Sequence, residues 1–407
     1  MIAVTELALP HLPIDTPAFA ADPMRFVAEA KGHHTWLATS TLGIVVTDFR
    51  AIDEMMRLDE NMALPGRTFV EVMGAEGTGW GRFAEEQMLA SSGERHARLR
   101  GSISAAFGPG NVKRMRPVMR DTVSALLDEW VPKGAFDFTE FAAQFPVRVM
   151  FGLIGASTDR LAEIMQSLEI HGQSFNMEVE KMALIEDAYQ TLWRFVSDLI
   201  EERGTAGERG DLLDALIAAN SSGQLTGDEL RQILLLMFAA GYDTSKNLLT
   251  LLMHSMIENP AVYRRCADDA DWCRKVVKEQ MRHTSPSNTY RIVTEGFTYR
   301  DVAFPAGTAL FFPLGVSGRD PAAFSDPERF DPERPEKGGN LAFGRGMHIC
   351  LGQFLAQSTV EEGIHQIARR IAEPRLAGEL SWRGFPGVWG IRTLPIAFEA
   401  AAAEVPA

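Results

Sequence analysis

The run Phe343-Gly344-Arg345-Gly346-Met347-His348-Ile349-Cys350-Leu351-Gly352 sets a lone cysteine where a glycine-rich loop meets a stretch of helical periodicity. Backbone N–H groups and the positive end of a helix stabilise an anion. Such a junction can therefore stabilise a thiolate, lowering a thiol's pKa from about 8.5. Gly344, Gly346 and Gly352 let the backbone approach something flat and large. The bland alternative is that Cys350 is a small buried apolar residue. A zinc site through His348 and Cys350 lacks the two further ligands a structural site needs.

A second candidate lies on the longest helical segment. Thr226-Gly227-Asp228-Glu229 fits a capping box, and Asn259-Pro260 stops the pattern. The roughly 32 residues between them would span about 48 Å at 1.5 Å per residue. Taking Thr244 as reference puts Gly241, Ala240, Met237 and Ile233 on its face. That face is narrow and small-residued, then carries an acid and a hydroxyl side by side, Asp243 and Thr244. Gly241 costs about 1 kcal/mol against alanine in a helix interior. Either something approaches the backbone there or the helix simply crosses another with a local kink. Asp243, Lys246 and Asn247 at the centre exclude a membrane span.

The elements that must position these residues are mostly helical. Apolar residues at three- and four-residue spacing dominate from about 115 to 285, as in Met119–Trp130 and Leu184–Glu202. From 286 to 335, turn chemistry (Pro305-Ala306-Gly307, Asp320-Pro321, Asp326-Pro327, Asp331-Pro332) separates short β-branched or aromatic runs. Helix returns near Gln353–Ala372, and 380–400 reads as short strands. The expected class is mainly α with small β-sheets, and without a linker or repeat one domain over 1–407 is expected.

Composition bounds the rest. With 407 residues, 46% hydrophobic and 23% charged, the chain is an ordinary globular protein. Its net charge of −14 argues against nucleic-acid binding and adhesion to anionic membranes. There is no secretory leader pattern and no apolar run of about 18 residues, so a reduced cytoplasmic location is expected. Cys266 and Cys273, seven apart on one helix pattern, read as ordinary helix residues.

The cysteine segment resembles the F-x-x-G-x-x-x-C-x-G signature of the cytochrome P-450 haem-thiolate monooxygenases, through Phe343, Gly346, Cys350 and Gly352. Glu279-Gln280-Met281-Arg282 is similar to the family's E-x-x-R helix motif. Pro327-Glu328-Arg329-Phe330 is similar to its P-E-R-F segment, and Ala240-Gly241-Tyr242-Asp243-Thr244 to its A-G-x-[DE]-T stretch. The motifs fall in family order. The resemblance implies the family's triangular-prism fold and a bound haem b (iron protoporphyrin IX).

It also implies roles. Cys350 would be the axial thiolate ligand, pushing electron density onto iron and favouring O–O cleavage. Phe343, Gly344 and Gly352 would shape its loop. Thr244 would hydrogen-bond dioxygen on the opposite haem face and Asp243 would relay protons, with Ala240 and Gly241 leaving room for dioxygen. His96 and Arg100, spaced H-x-x-x-R, together with Arg291 and His348, match propionate contacts. Glu279, Arg282 and Arg329 would form a buried structural cluster. Two departures stand out: Ser91-Ser92-Gly93-Glu94-Arg95 lacks the usual proline before His96, and Ala356-Gln357-Ser358-Thr359 replaces A-R-x-E.

The implied activity is insertion of one oxygen atom from O2 into a small, largely apolar organic substrate, by hydroxylation or O-demethylation. The electrons would come from NAD(P)H through separate proteins. Phe69, Trp80, Phe83, Phe175, Met177, Met237, Ser287, Asn288 and Trp389 fall where the family lines its substrate pocket; each could equally be core. A peroxide-driven peroxygenase and a non-catalytic haem sensor are the rival readings, and the acid–alcohol pair argues against both. Arg95, Arg98, Arg100, Lys113, Arg114, Arg116 and Arg120 form a positive stretch free of Asp and Glu. Such a patch on an acidic protein would steer an acidic partner, here a [2Fe-2S] ferredoxin reduced by an NAD(P)H-dependent flavoprotein reductase. A monomer is expected.

Overall fold

Ile44-Val45-Val46 and Leu310-Phe311-Phe312 are β-branched or aromatic runs bounded by turn residues, the pattern of buried strands. In the computed structural model, which describes residues 2–176, 178–335 and 339–401, they lie at the centre of a five-stranded sheet. The strands are β1 (Leu37–Ser40), β2 (Gly43–Val46), β3 (Met62–Ala63), β4 (Thr289–Val293) and β5 (Ala309–Phe312), in spatial order β1-β2-β5-β4-β3. Only β2 and β5 pair parallel, Ile44 opposite Leu310. Alternation along β5 divides the core between the two faces. Leu310 and Phe312 join Trp36, Ile52, Met55 and Phe304, whereas Phe311 joins Phe19, Phe385 and Trp389.

This sheet belongs to the first of two units, made of Met1–Pro65, Lys275–Cys350 and Leu380–Arg392. Within it the end of the Ala270–His283 helix buries an ion pair, with Arg282 donating to both oxygens of Glu279 at 2.7 and 2.9 Å. The third member of the cluster differs from the sequence expectation. Arg329 turns outward, two-thirds exposed, beside Asp331, and it is Arg334 whose Nε approaches Glu279 at 3.5 Å. The reason is local: the chain carries Pro-Glu-Arg twice, at 327–329 and 332–334, and the turn at Asp331-Pro332 sends the second copy inward. Arg282 and Arg334 also donate to the Arg329 carbonyl at 3.1 and 2.8 Å, so that residue contributes its backbone. Arg334→Ala should therefore cost about 1.5–3 kcal/mol, the range for hydrogen bonds to charged groups. Arg329→Ala should cost under about 1 kcal/mol, as at other exposed pairs. Thermal unfolding of the two variants checks this, and equal losses would restore Arg329 to the cluster.

The second unit, Gly66–Arg274, Leu351–Glu379 and Thr393–Ala407, is helical. The helices that bear on function are α1 (Gly79–Glu86), α2 (Gly93–Ser104), α3 (Pro109–Trp130), α4 (Phe138–Ile154), α5 (Leu161–Gly172), α6 (Met182–Ala206), α7 (Gly227–Glu258) and α8 (Gln353–Arg370). The capping box expected for α7 forms: Thr226 Oγ1 accepts from Glu229 N at 3.2 Å, and Glu229 Oε2 accepts from Thr226 N at 3.0 Å. Fully buried Phe138, Phe141, Phe145, Phe151 and Phe238 anchor α4 and α7, each burial worth about 1.5–3 kcal/mol. Gly363 of α8 lets Phe145 in, since a Cβ there would lie 2.8 Å from its ring.

Cys266 and Cys273 are buried but sit on two helices, not one. Asp269 breaks the pattern, ending Pro260–Asp268 and accepting from Trp272 N at the start of Ala270–His283. The positive stretch is also largely neutralised. Arg116 donates to Glu362 at 2.9 Å and also bonds Glu361, Arg120 reaches Glu362 at 3.1 Å, and Arg98 grips Glu229 at 2.6 and 2.9 Å. These carboxylates lie 130 to 250 residues away in sequence, out of sight of a local charge count. Lys113 and Arg114 remain exposed, Arg114 beside Asn111.

Candidate functional site

In the first unit the cysteine loop is held by its backbone. Gly344 N donates to Leu341 O at 2.8 Å, and Cys350 N closes the loop onto Phe343 O at 2.9 Å. Gly344 and Gly346 have φ of +70° and +72°, a region that favours glycine. A Cβ on Gly346 would meet both Asp59 Oδ2 and Met56 O at 2.5 Å. Asp59 Oδ2 accepts from Met347 N at 2.6 Å, and Arg345 ties the loop to Asp53 at 2.7 Å and Asn340 O at 2.7 Å. Cys350 is half-buried, unlike the two buried cysteines. His348 ends a short turn, Gly346–His348, and is also half-buried.

Arg291 on β4 is a buried cation, 4% exposed. Its guanidinium donates to neutral oxygens, Thr289 Oγ1 at 2.8 Å and Tyr290 O at 2.7 Å. Burial pushes its pKa down to about 10, opposed by the charge of Asp59. A buried guanidinium so placed suits an anionic group.

Of the residues expected at a substrate pocket, Trp389, Asn288 and Ser287 lie in this unit. Trp389 is core: it stacks on Trp382 at 5.3 Å and donates through Nε1 to Ala20 O at 3.0 Å. Asn288 spends its amide on Phe385 O at 2.7 Å and its oxygen on Gly315 N at 3.3 Å. Ser287 bridges to Val388 through its backbone.

In the second unit the middle of α7, from Gln232 to Met253, is mostly buried, and the exceptions there are informative. Met237, Gly241 and Thr244 are half-buried and Ala240 is exposed, while their neighbours Phe238, Ala239, Tyr242 and Asp243 are buried. These less-buried residues fall at helical spacing and form one open stripe along the helix. Thr244 Oγ1 donates to Ala240 O at 2.7 Å. Asp243 turns to the closed side. Asn247 Nδ2 donates to its Oδ1 at 3.0 Å and its carbonyl at 2.8 Å, and a Cβ on Gly172 of α5 would lie 3.3 Å from its Oδ2. Next to it, Glu169 of α5 accepts from Lys246 Nζ at 2.6 Å and Tyr242 Oη at 3.1 Å. Asn247, one turn after Asp243, was legible as a partner by spacing; Glu169 and Gly172 were not.

On α2, His96 is buried and Arg100 half-buried, one turn apart on the same face. The helix opens at Gly93 with φ +56° after an extended Ser92, so glycine replaces proline as the device that starts it. On α1, Trp80 and Phe83 are buried, Phe83 edge-on to His171 at 5.9 Å. Burial pushes the pKa of His171 down to about 4, which keeps it neutral near pH 7. Phe69 is half-buried on the Gly66–Met73 helix. Phe175 falls in the turn Gln173–Asn176, and Met177 lies outside the described residues.

Residues 76–370 match the protein-family model described as Cytochrome P-450. Luteothin monooxygenase of Streptomyces thioluteus is 30% identical over 399 residues, covering 97% of each chain. The 6-deoxyerythronolide B hydroxylase of Saccharopolyspora erythraea is 31% identical over 318 residues, 76% of this chain and 77% of that one. Among solved structures, CalO2 superposes with a TM-score of 0.87 at 21% identity, covering 97% of this chain and 100% of that one, a likeness of fold.

Proposed function

The chain belongs to the cytochrome P-450 family and is an oxygen-incorporating oxidoreductase, and from that premise we propose that it oxidises a small or medium-sized, largely apolar organic molecule by hydroxylation or O-demethylation. Two relatives are named for acting on discrete organic compounds, luteothin monooxygenase and 6-deoxyerythronolide B hydroxylase, and this supports the reading. Met237, Trp80, Phe83 and Phe69 supply the apolar bulk that such a pocket needs.

The family implies a haem, and the residues fit one. The observation that carries the fit is the half-buried thiol of Cys350 on a loop in which Gly344 and Gly346 take positive φ and Gly346 leaves no room for a Cβ. Cys350 would supply the thiolate ligand, and Arg291 and His348 would hold anionic propionate groups. His96 and Arg100 are assigned the same task. When bound, haem b supplies the iron at which dioxygen is activated.

The protein's own work is proton handling and exclusion. Two protons and two electrons accompany each turnover, one oxygen atom going to the product and the other to water. The Thr244 hydroxyl, on the open stripe of α7, holds a proton donor at Oγ1. Asp243, buried behind it and steered by Asn247, moves protons inward. Ala240 and Gly241 keep the stripe clear of side chains. This acid–alcohol pair favours dioxygen over peroxide as the oxidant. Turnover under isotope-labelled dioxygen tests the reading: the hydroxylated product should carry one labelled oxygen, and label from water alone would refute it.

Electrons come from NAD(P)H through a flavoprotein and a [2Fe-2S] ferredoxin. Because Arg116 is tied to Glu361 and Glu362, the docking charge falls to exposed Lys113 and Arg114. The double change Lys113→Glu/Arg114→Glu should slow ferredoxin-driven reduction about tenfold or more at low salt, with dithionite reduction unchanged. Stopped-flow reduction rates that ignore both the change and the ionic strength would remove this surface from docking.

A further inference from the structure

Glu186 lies on α6, yet its carboxylate is spent on another helix. Oε1 accepts from Gly79 N at 3.2 Å and Oε2 from Trp80 N at 2.8 Å. These are amides of the first turn of α1, which have no partner within their own helix. Thr78 Oγ1 takes the amide of Gly81 at 2.9 Å, so the start of α1 is capped twice, once locally and once from α6. Gln190 Nε2 donates to Glu186 Oε1 at 2.6 Å and steers the carboxylate. The approach is tight. A Cβ on Gly79 would stand 2.5 Å from Gln190 Nε2, 2.6 Å from Tyr189 Cε1 and 2.8 Å from Glu186 Oε1. A Cβ at Gly79 would therefore push Gln190, Tyr189 and Glu186 away from the start of α1, whereas the backbone angle there is ordinary.

The docking continues along α1, where the Phe83 ring lies 5.8 Å from that of Tyr189. At eight residues α1 is far shorter than a helix that persists alone in water. Its place therefore depends on what it is fastened to. We infer that Glu186 and Gly79 are positioning residues for substrate selection: they clamp α1 onto α6 and thereby fix where Trp80 and Phe83 stand. This rests on the reading that Trp80 and Phe83 line the substrate pocket.

Two measurements test it. The first is amide hydrogen exchange of the wild type, Glu186→Ala and Glu186→Gln. The Gly79 and Trp80 amides should exchange about tenfold faster or more in Glu186→Ala, as expected for lost hydrogen bonds to a charged group, and by less in Glu186→Gln. Unchanged exchange overturns the clamp. The second is titration of the haem-loaded protein with imidazole, too small to reach a pocket wall, and with clotrimazole, bulky enough to touch it. Clotrimazole should bind about tenfold more weakly to Glu186→Ala and Gly79→Ala, with imidazole unaffected in both. If exchange accelerates and Trp80→Ala alters clotrimazole binding while Glu186→Ala does not, the positioning role is wrong. If Trp80→Ala and Phe83→Ala also leave clotrimazole binding unchanged, it is the pocket reading that fails, and the inference with it.

Discussion

Replacing Cys350 by serine is expected to abolish product formation while leaving the chain folded. The loop is shaped by contacts that do not involve sulfur: Gly344 N to Leu341 O, Met347 N to Asp59, Arg345 to Asp53 and Cys350 N to Phe343 O. Serine keeps that backbone and differs from cysteine by one atom. A hydroxyl, however, is neutral near pH 7 and hard, so it cannot supply the soft anionic ligand whose electron push favours O–O cleavage. Far-ultraviolet circular dichroism should be unchanged and turnover with a reductase system lost. Retained turnover in the serine variant would mean that the chemistry does not run through Cys350.

The second large effect is expected at Thr244. Thr244→Ala removes the hydroxyl from the open stripe of α7 but leaves the helix intact, because the Ala240 carbonyl loses a side-chain donor and keeps its place in the helical ladder. Substrate should still bind. Positioned proton donors contribute about 100- to 10,000-fold to rates, so the fraction of NAD(P)H consumption that ends in product should fall about tenfold or more. The missing equivalents should appear as hydrogen peroxide. Thr244→Ser should restore most of the coupling. Asp243→Asn should instead slow turnover with less peroxide, since the amide can keep its contact with Asn247 but cannot carry a proton. Equal coupling in Thr244→Ala and wild type would remove Thr244 from proton delivery.

Much of this was legible in the sequence, and the limits have physical causes. The long helix announced itself through its capping box and its Asn-Pro stop, because both signals are local. The cysteine loop was readable for the same reason: its glycines and its cysteine act within ten residues. Arg334, not Arg329, completes the cluster, because two Pro-Glu-Arg copies look alike in sequence and only the turn between them decides which faces inward. The positive stretch from Arg95 to Arg120 carries less free charge than its composition suggests, for the opposite reason. Glu229, Glu361 and Glu362 neutralise it from distant segments, and a charge count along the chain cannot see them. The surroundings of Trp389 and Asn288 had no local signal, because their partners Ala20, Phe385 and Gly315 come from elsewhere in the fold. The role of Glu186 at α1 had no sequence signal, since it lies about 106 residues away on another helix.

The absorption spectrum of the wild-type protein, loaded with haem, reduced and exposed to carbon monoxide, tests the central claim most directly. Thiolate ligation by Cys350 predicts a strongly red-shifted Soret band that is lost in Cys350→Ser. A Soret band at the unshifted position of a histidine-ligated haem, or a red-shifted band that persists in Cys350→Ser, would contradict the assignment.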